Sequence, residues 1–168
     1  MKQKIIIRDG KIVSGALPSS GDTKQNSGAV AISESQRFMF KAQQSVMKKD
    51  LATAEALYTE AIARDGSNVQ AYLHRGVVRR ELHDYRGVDA DARMAVTLAN
   101  NVIRANPRDP DGYYERSMAL RLLKQFDLAR KDVLAAIQLG GKPSLSNDLQ
   151  AIELERKMAL SKAQTAAH

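Results

Sequence analysis

Aromatic or apolar residues and small residues recur along this chain first after 34 positions and then after 41. A 34-residue period of this kind is typical of helical hairpins that stack side by side into an array. The period therefore predicts an all-α fold, and arrays of this type usually bind other proteins. The recurring sets are Phe38, Tyr72 and Tyr113; Ala42, Gly76 and Ser117; Leu51, Tyr85 and Phe126; and Ala61, Ala95 and Ala136.

The composition is that of a soluble folded protein, with 168 residues of which 43% are hydrophobic and 27% charged. The chain has no Cys, which removes disulfides, thiolate metal ligands and a Cys nucleophile together. The apolar run Ile5, Ile6, Ile7 is too short for a signal peptide, and no stretch approaches the roughly 18 apolar residues of a membrane helix. With Met1 as the native start, we expect a cytoplasmic protein without a transmembrane segment.

The net charge of +7 permits attraction to acidic proteins, nucleic acid or anionic membranes. Basic residues are scattered as pairs such as Lys48-Lys49 and Arg79-Arg80 among carboxylates, and few aromatic residues are available for base stacking. This scatter disfavours nucleic-acid binding. Electrostatic association with nucleic acid or anionic lipid stays as the least favoured alternative function.

Residues 1–32 are rich in Gly and polar residues, which predicts a flexible leader. Within it, Asp9-Gly10 lies between apolar flanks, the usual signal for a tight hairpin turn. Two interpretations stay open: a frayed tail, or a small hairpin that docks on the helices, on a partner or on a second copy. The leader could also fold back over the groove of its own array and compete with a ligand.

The helices are delimited by polar caps. Ser33 with Gln36 fits a capping box, and Asn68 and Asp109 with Pro110 fit helix starts. We expect a helical domain over 33–163, with repeats at about 35–68, 69–109 and 110–143, a capping helix over about 146–162 and a frayed tail over 164–168. The interval of 41 implies a second-repeat helix extended to about residue 105, because seven extra residues add about two turns and rotate the apolar face by only about 20°.

This pattern resembles the tetratricopeptide repeat family over about residues 35–140, as three repeats followed by a solvating helix. The resemblance implies a right-handed superhelical array of antiparallel helix pairs. It also implies a concave groove lined by the first helix of each repeat. Carried over position by position, the groove residues are Gln36, Met39, Phe40, Gln43 and Met47 in repeat one; Gln70, Leu73, His74, Val77, Arg80 and Glu81 in repeat two; and Asp111, Tyr114, Glu115, Met118, Arg121 and Leu122 in repeat three.

Met and aromatic side chains at these positions suit an extended segment or an amphipathic helix of another protein, although some of them could simply pack against neighbouring helices. Chaperone-binding members of the family hold a C-terminal carboxylate with Lys and Asn at set groove positions. Here those positions carry Met39 and Gln43 in repeat one and Asp111 and Glu115 in repeat three. An acidic pair repels a carboxylate, so we predict no carboxylate clamp.

Two further residue patterns bear on function. Arg75 and Arg116 each precede an Asp by 16 positions, Asp91 and Asp132, which predicts an ion pair between the two helices of a repeat. The three His residues have no partner at helical spacing, and the chain has neither a Gly-rich phosphate loop nor a nucleophile elbow. We therefore expect no catalytic site, no metal and no cofactor.

The leading interpretation is a non-catalytic adaptor or scaffold that binds a peptide or helix of a partner protein in its groove. The alternative is a secretion-type chaperone that shields an export substrate. That class also uses about three such repeats on a small chain, but its members tend to be acidic, whereas this chain is basic.

Overall fold

The computed structural model describes the strands Ile5–Arg8 and Lys11–Ser14 and the continuous segment 32–166. Seven helices follow the strands within these residues. Each of the first six pairs with its neighbour as an antiparallel hairpin, and the seventh packs on the sixth, which confirms the predicted all-α array. The helices are α1 (Glu34–Met47), α2 (Leu51–Arg64), α3 (Val69–Glu81), α4 (Tyr85–Ala105), α5 (Pro110–Leu122), α6 (Phe126–Gln138) and α7 (Leu145–Ala166).

The strands β1 (Ile5–Arg8) and β2 (Lys11–Ser14) pair antiparallel, with Ile5 opposite Ser14 and Arg8 opposite Lys11. This register leaves two residues for the connection, as the Asp-Gly pair predicts. Positions 1–4, 9–10 and 15–31 of the leader lie outside the described residues. The expectations of a flexible leader, of docking and of self-inhibition concern that segment and stay predictions.

Side-chain caps lie at the three helix starts predicted for Ser33, Asn68 and Asp109. The Ser33 hydroxyl accepts a hydrogen bond from the Gln36 backbone N–H, and the Gln36 side chain accepts one from the Ser33 N–H, completing the capping box. Asp50, Asn68 and Asp109 each accept a backbone N–H of the first turn in the same way. Because each cap satisfies an N–H that the helix leaves unpaired, the boundaries are set locally by sequence.

The turn between the two helices of each repeat contains one residue in the left-handed region. These residues are Lys49, His83 and Lys124, with φ near 60° in all three. They keep the 34 and 41 spacing of the repeats. The Lys49 N–H donates to the Val46 carbonyl and the next N–H donates to the Ser45 carbonyl, so the left-handed residue closes the end of α1.

The core consists of three apolar clusters, one after another along the array. The first joins α1, α2 and α3 around Tyr58, the second joins α3, α4 and α5 around Leu73, and the third joins α5, α6 and α7 around Ile152. Alanines at the helix crossings, Ala42, Ala54, Ala95, Ala129 and Ala136 among them, are fully buried. Small residues are required there because larger side chains would hold the helices apart.

The predicted Arg–Asp ion pairs are confirmed. Arg75 Nη2 lies 2.6 Å from Asp91 Oδ1, and Arg116 Nη2 lies 2.7 Å from Asp132 Oδ1. Both carboxylates are buried. Each pair therefore ties the two helices of a repeat together from inside the domain.

The extension of α4 packs against the start of α5. A Cβ placed on Gly112 would lie 3.1 Å from Cγ1 of both Val102 and Ile103, so the two helices touch closely there. The predicted end of α4 near residue 105 is confirmed. The extra two turns therefore lengthen the contact between the second and third repeats.

The last helix is longer than the sequence indicated. α7 continues to Ala166, so the tail expected to fray from position 164 is helical as far as the described residues reach. The reason is local propensity: the segment Ala159–Ala166 contains Ala, Leu, Lys and Gln, all strong helix formers, and no Gly or Pro. Within the described residues, no helix is both long and apolar enough to cross a membrane.

Candidate functional site

Three helices, α3, α5 and α7, run in the same direction side by side. Near the N-terminal ends, Gln70 Nε2 of α3 donates to Glu115 Oε1 of α5 at 2.8 Å. Further along, Arg121 of α5 donates two hydrogen bonds to Glu155 of α7, at 3.1 and 2.6 Å. These contacts align equivalent positions of successive repeats, so the three helices form one continuous surface.

A pocket of about 260 Å³ opens on this surface towards the C-terminal ends of α3 and α5, beside Glu155 in the middle of α7. Its apolar lining comes from α3 and α5, with Phe126 at the start of α6 completing it. An apolar cavity of about 150 Å³ already holds a benzene molecule, so this pocket has room for one large apolar side chain. The lining residues are Leu73, Val77, Arg80, Met118, Arg121, Leu122, Lys124, Phe126 and Glu155.

The opposite end of the surface is acidic. Burial, together with the nearby carboxylates of Asp111 and Asp109, raises the pKa of Glu115, while the Gln70 hydrogen bond acts in the other direction. Asp111 itself is exposed at the first turn of α5. Carboxylates therefore gather where α5 begins.

No family model matches the chain. Tetratricopeptide repeat protein 36 of Xenopus tropicalis is 30% identical over 132 residues, which are 79% of this chain and 56% of that protein. The chain thus spans just over half the length of this relative.

Solved structures match the helical array. The TPR2B domain of yeast Sti1, in a complex with pHsp70, has a TM-score of 0.52 at 19% identity, covering 76% of this chain and 97% of that one. The first repeat domain of Spaghetti (RPAP3), bound to the HSP90 peptide SRMEEVD, has a TM-score of 0.50 at 20% identity, covering 76% and 94%. The chain has the tetratricopeptide repeat fold.

Of the predicted groove residues of this tetratricopeptide repeat array, the structure brings six together in the pocket. Leu73 is almost completely buried and forms its floor, while Val77 and Met118 are partly exposed beside it. Three lining residues were not predicted: Lys124, Phe126 and Glu155. The sequence does carry a signal for Glu155, because it follows Arg121 by 34 positions, the length of one repeat.

The groove positions of repeat one are arranged differently. Phe40 and Met47 are strongly exposed, at 62% and 84%, and Gln43 is exposed beside them. Met39 instead packs on the first core cluster, and the Gln36 side chain is used in the capping box. The first repeat therefore presents its apolar groove side chains separately, and within residues 32–166 they do not line the pocket found between α3 and α5.

Three further predicted groove residues, His74, Tyr114 and Glu81, lie outside the pocket. The ring of His74 stacks on Tyr58 with centroids 5.7 Å apart, and burial lowers the pKa of His74. Burial and the nearby carboxylate of Asp148 raise the pKa of Tyr114. Glu81 is exposed at the end of α3 and pairs weakly with Arg80 at 3.7 Å. Across the described ranges, no three His, Cys, Asp or Glu side chains are grouped to hold a metal ion.

Proposed function

We propose that this chain is a protein-binding module whose concave surface holds an apolar segment of a partner protein. The observation that carries the proposal is the pocket between α3 and α5, which exposes Val77 and Met118 next to the buried Leu73. Apolar pockets with a few placed polar groups are the usual form of a binding site, and Met adapts its shape to different partners.

The test compares two charged variants in affinity purification with quantitative mass spectrometry. Val77→Glu with Met118→Glu places carboxylates in the pocket, and we expect it to lose the partners that the unaltered chain retains. Met94→Glu, on the exposed side of α4, is the control and should retain them. Circular dichroism of both variants establishes that they are folded. If the pocket variant keeps every partner, the proposal is wrong.

The partner segment is expected to bind without a carboxylate clamp. The Spaghetti structure contains the HSP90 peptide SRMEEVD, and the Sti1 structure is a complex with pHsp70. A peptide with an unmodified C-terminus ends in a carboxylate. In this chain, Asp111 and Glu115 would face such a group, and like charges repel. We therefore expect no saturable binding of SRMEEVD by fluorescence polarisation. Binding that depends on the terminal carboxylate, and is lost on its amidation, would contradict this.

A further inference from the structure

The pocket has a basic rim. Arg80 is about half exposed, and its ion-pair partner within the described residues is the adjacent Glu81, at a long 3.7 Å. Lys124 is exposed on the left-handed turn after α5 and forms no ion pair within residues 32–166. Glu155 also lies at the rim, but Arg121 already donates two hydrogen bonds to its carboxylate. Arg80 and Lys124 are thus the rim charges that a ligand would meet.

The acidic end of the surface lies away from the pocket, at the first turn of α5. Asp111 and Arg121 are ten residues apart on α5, which corresponds to about 15 Å along a helix. Glu115 lies between them and is held by Gln70. A segment that crosses the groove from one end to the other therefore meets positive charge at the pocket and negative charge about 15 Å away.

We infer that the pocket takes a large apolar side chain from a partner segment that carries carboxylates beside this anchor, facing Arg80 and Lys124. The same segment carries a basic group at its other end, facing Asp111 and Glu115. This inference rests on the proposed function and specifies the chemistry of its partner. Charge complementarity of this kind fixes the direction in which a segment binds and excludes segments of the opposite pattern.

The inference is tested with synthetic peptides of about ten residues, which are long enough to cross the groove when extended. Each peptide has a central Leu or Phe. In the first set, Glu lies on one side of the central residue and Lys on the other, and peptides with Glu towards the N-terminus and with Glu towards the C-terminus are both made. The second set has Gln on both sides of the central residue, and the third has Lys on both sides. Binding to the full chain is measured by fluorescence polarisation at low and high salt.

We expect the Glu/Lys peptides, in one of the two orders, to bind more tightly than the Gln peptides, by up to about fivefold for each ion pair formed. The difference should shrink at high salt. Arg80→Glu and Lys124→Glu should each remove this advantage and leave the Gln peptides unaffected. The matched control is Arg86→Glu, an equal charge change at an exposed position of α4, which should leave the advantage intact.

Each other outcome has a definite meaning. Equal binding of the Glu/Lys and Gln peptides, or preference for Lys on both sides, overturns the inference while leaving the proposed function in place. An equal effect of Arg86→Glu and Arg80→Glu also overturns it, because net charge and not the rim would then be responsible. If no apolar peptide binds at all, the inference and the proposed function both fail.

Discussion

Arg75 joins Asp91 through two parallel hydrogen bonds, from Nε at 3.0 Å and from Nη2 at 2.6 Å, and its remaining nitrogen, Nη1, donates to Thr59 at 3.0 Å. Asp91 is on α4 and Thr59 is on α2, so one guanidinium on α3 connects three helices. Arg116 does the same one repeat later, with Asp132 on α6 and Asn100 on α4. These arginines link successive repeats as well as the two helices within a repeat.

We expect Asp91→Ala to lower the free energy of unfolding by about 3–5 kcal/mol, because it leaves charged groups buried without their partner. Asp91 is 2% exposed and also accepts a hydrogen bond from Arg79 at 3.1 Å. Urea denaturation measures the change. The control is Asp89→Ala, which breaks the exposed pair with Arg93 and should cost about 0.5 kcal/mol or less. Similar midpoints for the two variants would contradict this account.

Replacement of the left-handed residue after α1 should stabilise the protein. Lys49 has φ of 61°, a region that costs an L-residue about 1–2 kcal/mol and that Gly adopts freely. After allowing for the greater entropy of Gly in the unfolded chain, we expect Lys49→Gly to gain about 0.5–1 kcal/mol. Its neighbour Lys48 is right-handed, with φ of −81°, so Lys48→Gly should be destabilising. A lower thermal midpoint for Lys49→Gly than for the unaltered chain would refute the strain argument.

The contact between the extension of α4 and the start of α5 leaves little room for a side chain at Gly112, whose Cβ would lie 3.1 Å from Val102 and Ile103. We expect Gly112→Val to destabilise the protein by about 1–3 kcal/mol, the usual cost of overpacking. A Cβ at Gly66, in contrast, would meet nothing closer than 3.9 Å, so Gly66→Ala is a suitable control. Thermal unfolding monitored by circular dichroism compares the two. An unchanged midpoint for Gly112→Val would mean that the extension separates easily from α5.

The stability of the protein should depend on pH through His74. Burial lowers the pKa of His74 below its ordinary value of 6.5, so the unfolded chain binds this proton more readily than the folded one. The stabilisation is therefore fully present above about pH 6.5 and is lost as the pH falls towards the lowered pKa.

His74→Phe keeps a ring against Tyr58 and removes the titration. We expect this variant to lose less free energy of unfolding than the unaltered chain between about pH 7.5 and about pH 5. Urea denaturation at several pH values measures the two curves. Parallel curves would show that His74 does not contribute to the pH dependence.

Local signals in the sequence were sufficient to predict where most helices begin and end. The capping box of Ser33 and Gln36 and the Asp109-Pro110 start depend on side chains within one turn, so a single sequence contains the whole interaction. The Arg–Asp pairs were also predictable, because their 16-residue spacing recurs with the repeat.

The pocket could be predicted only in part, because it depends on how the helices pack. The groove positions on α3 and α5 followed from the repeat, but the approach of Glu155 to Arg121 depends on where α7 docks. The burial of Met39 depends similarly on contacts within its repeat. The left-handed residues Lys49, His83 and Lys124 were missed because none is Gly, the residue that usually marks such a turn.

The parallel course of α3, α5 and α7 also places their macrodipoles side by side. The positive N-terminal end of α5 lies next to Asp111, and the negative C-terminal ends of α3 and α5 lie next to Arg80 and Arg121. The charges that line the groove are therefore the charges that favour these helices. A change that reverses the polarity of the groove should also weaken the helices, by about 0.3–1 kcal/mol for each charge. Ligand preference and fold stability are thus coupled, which limits how easily mutation could convert this surface to the opposite specificity.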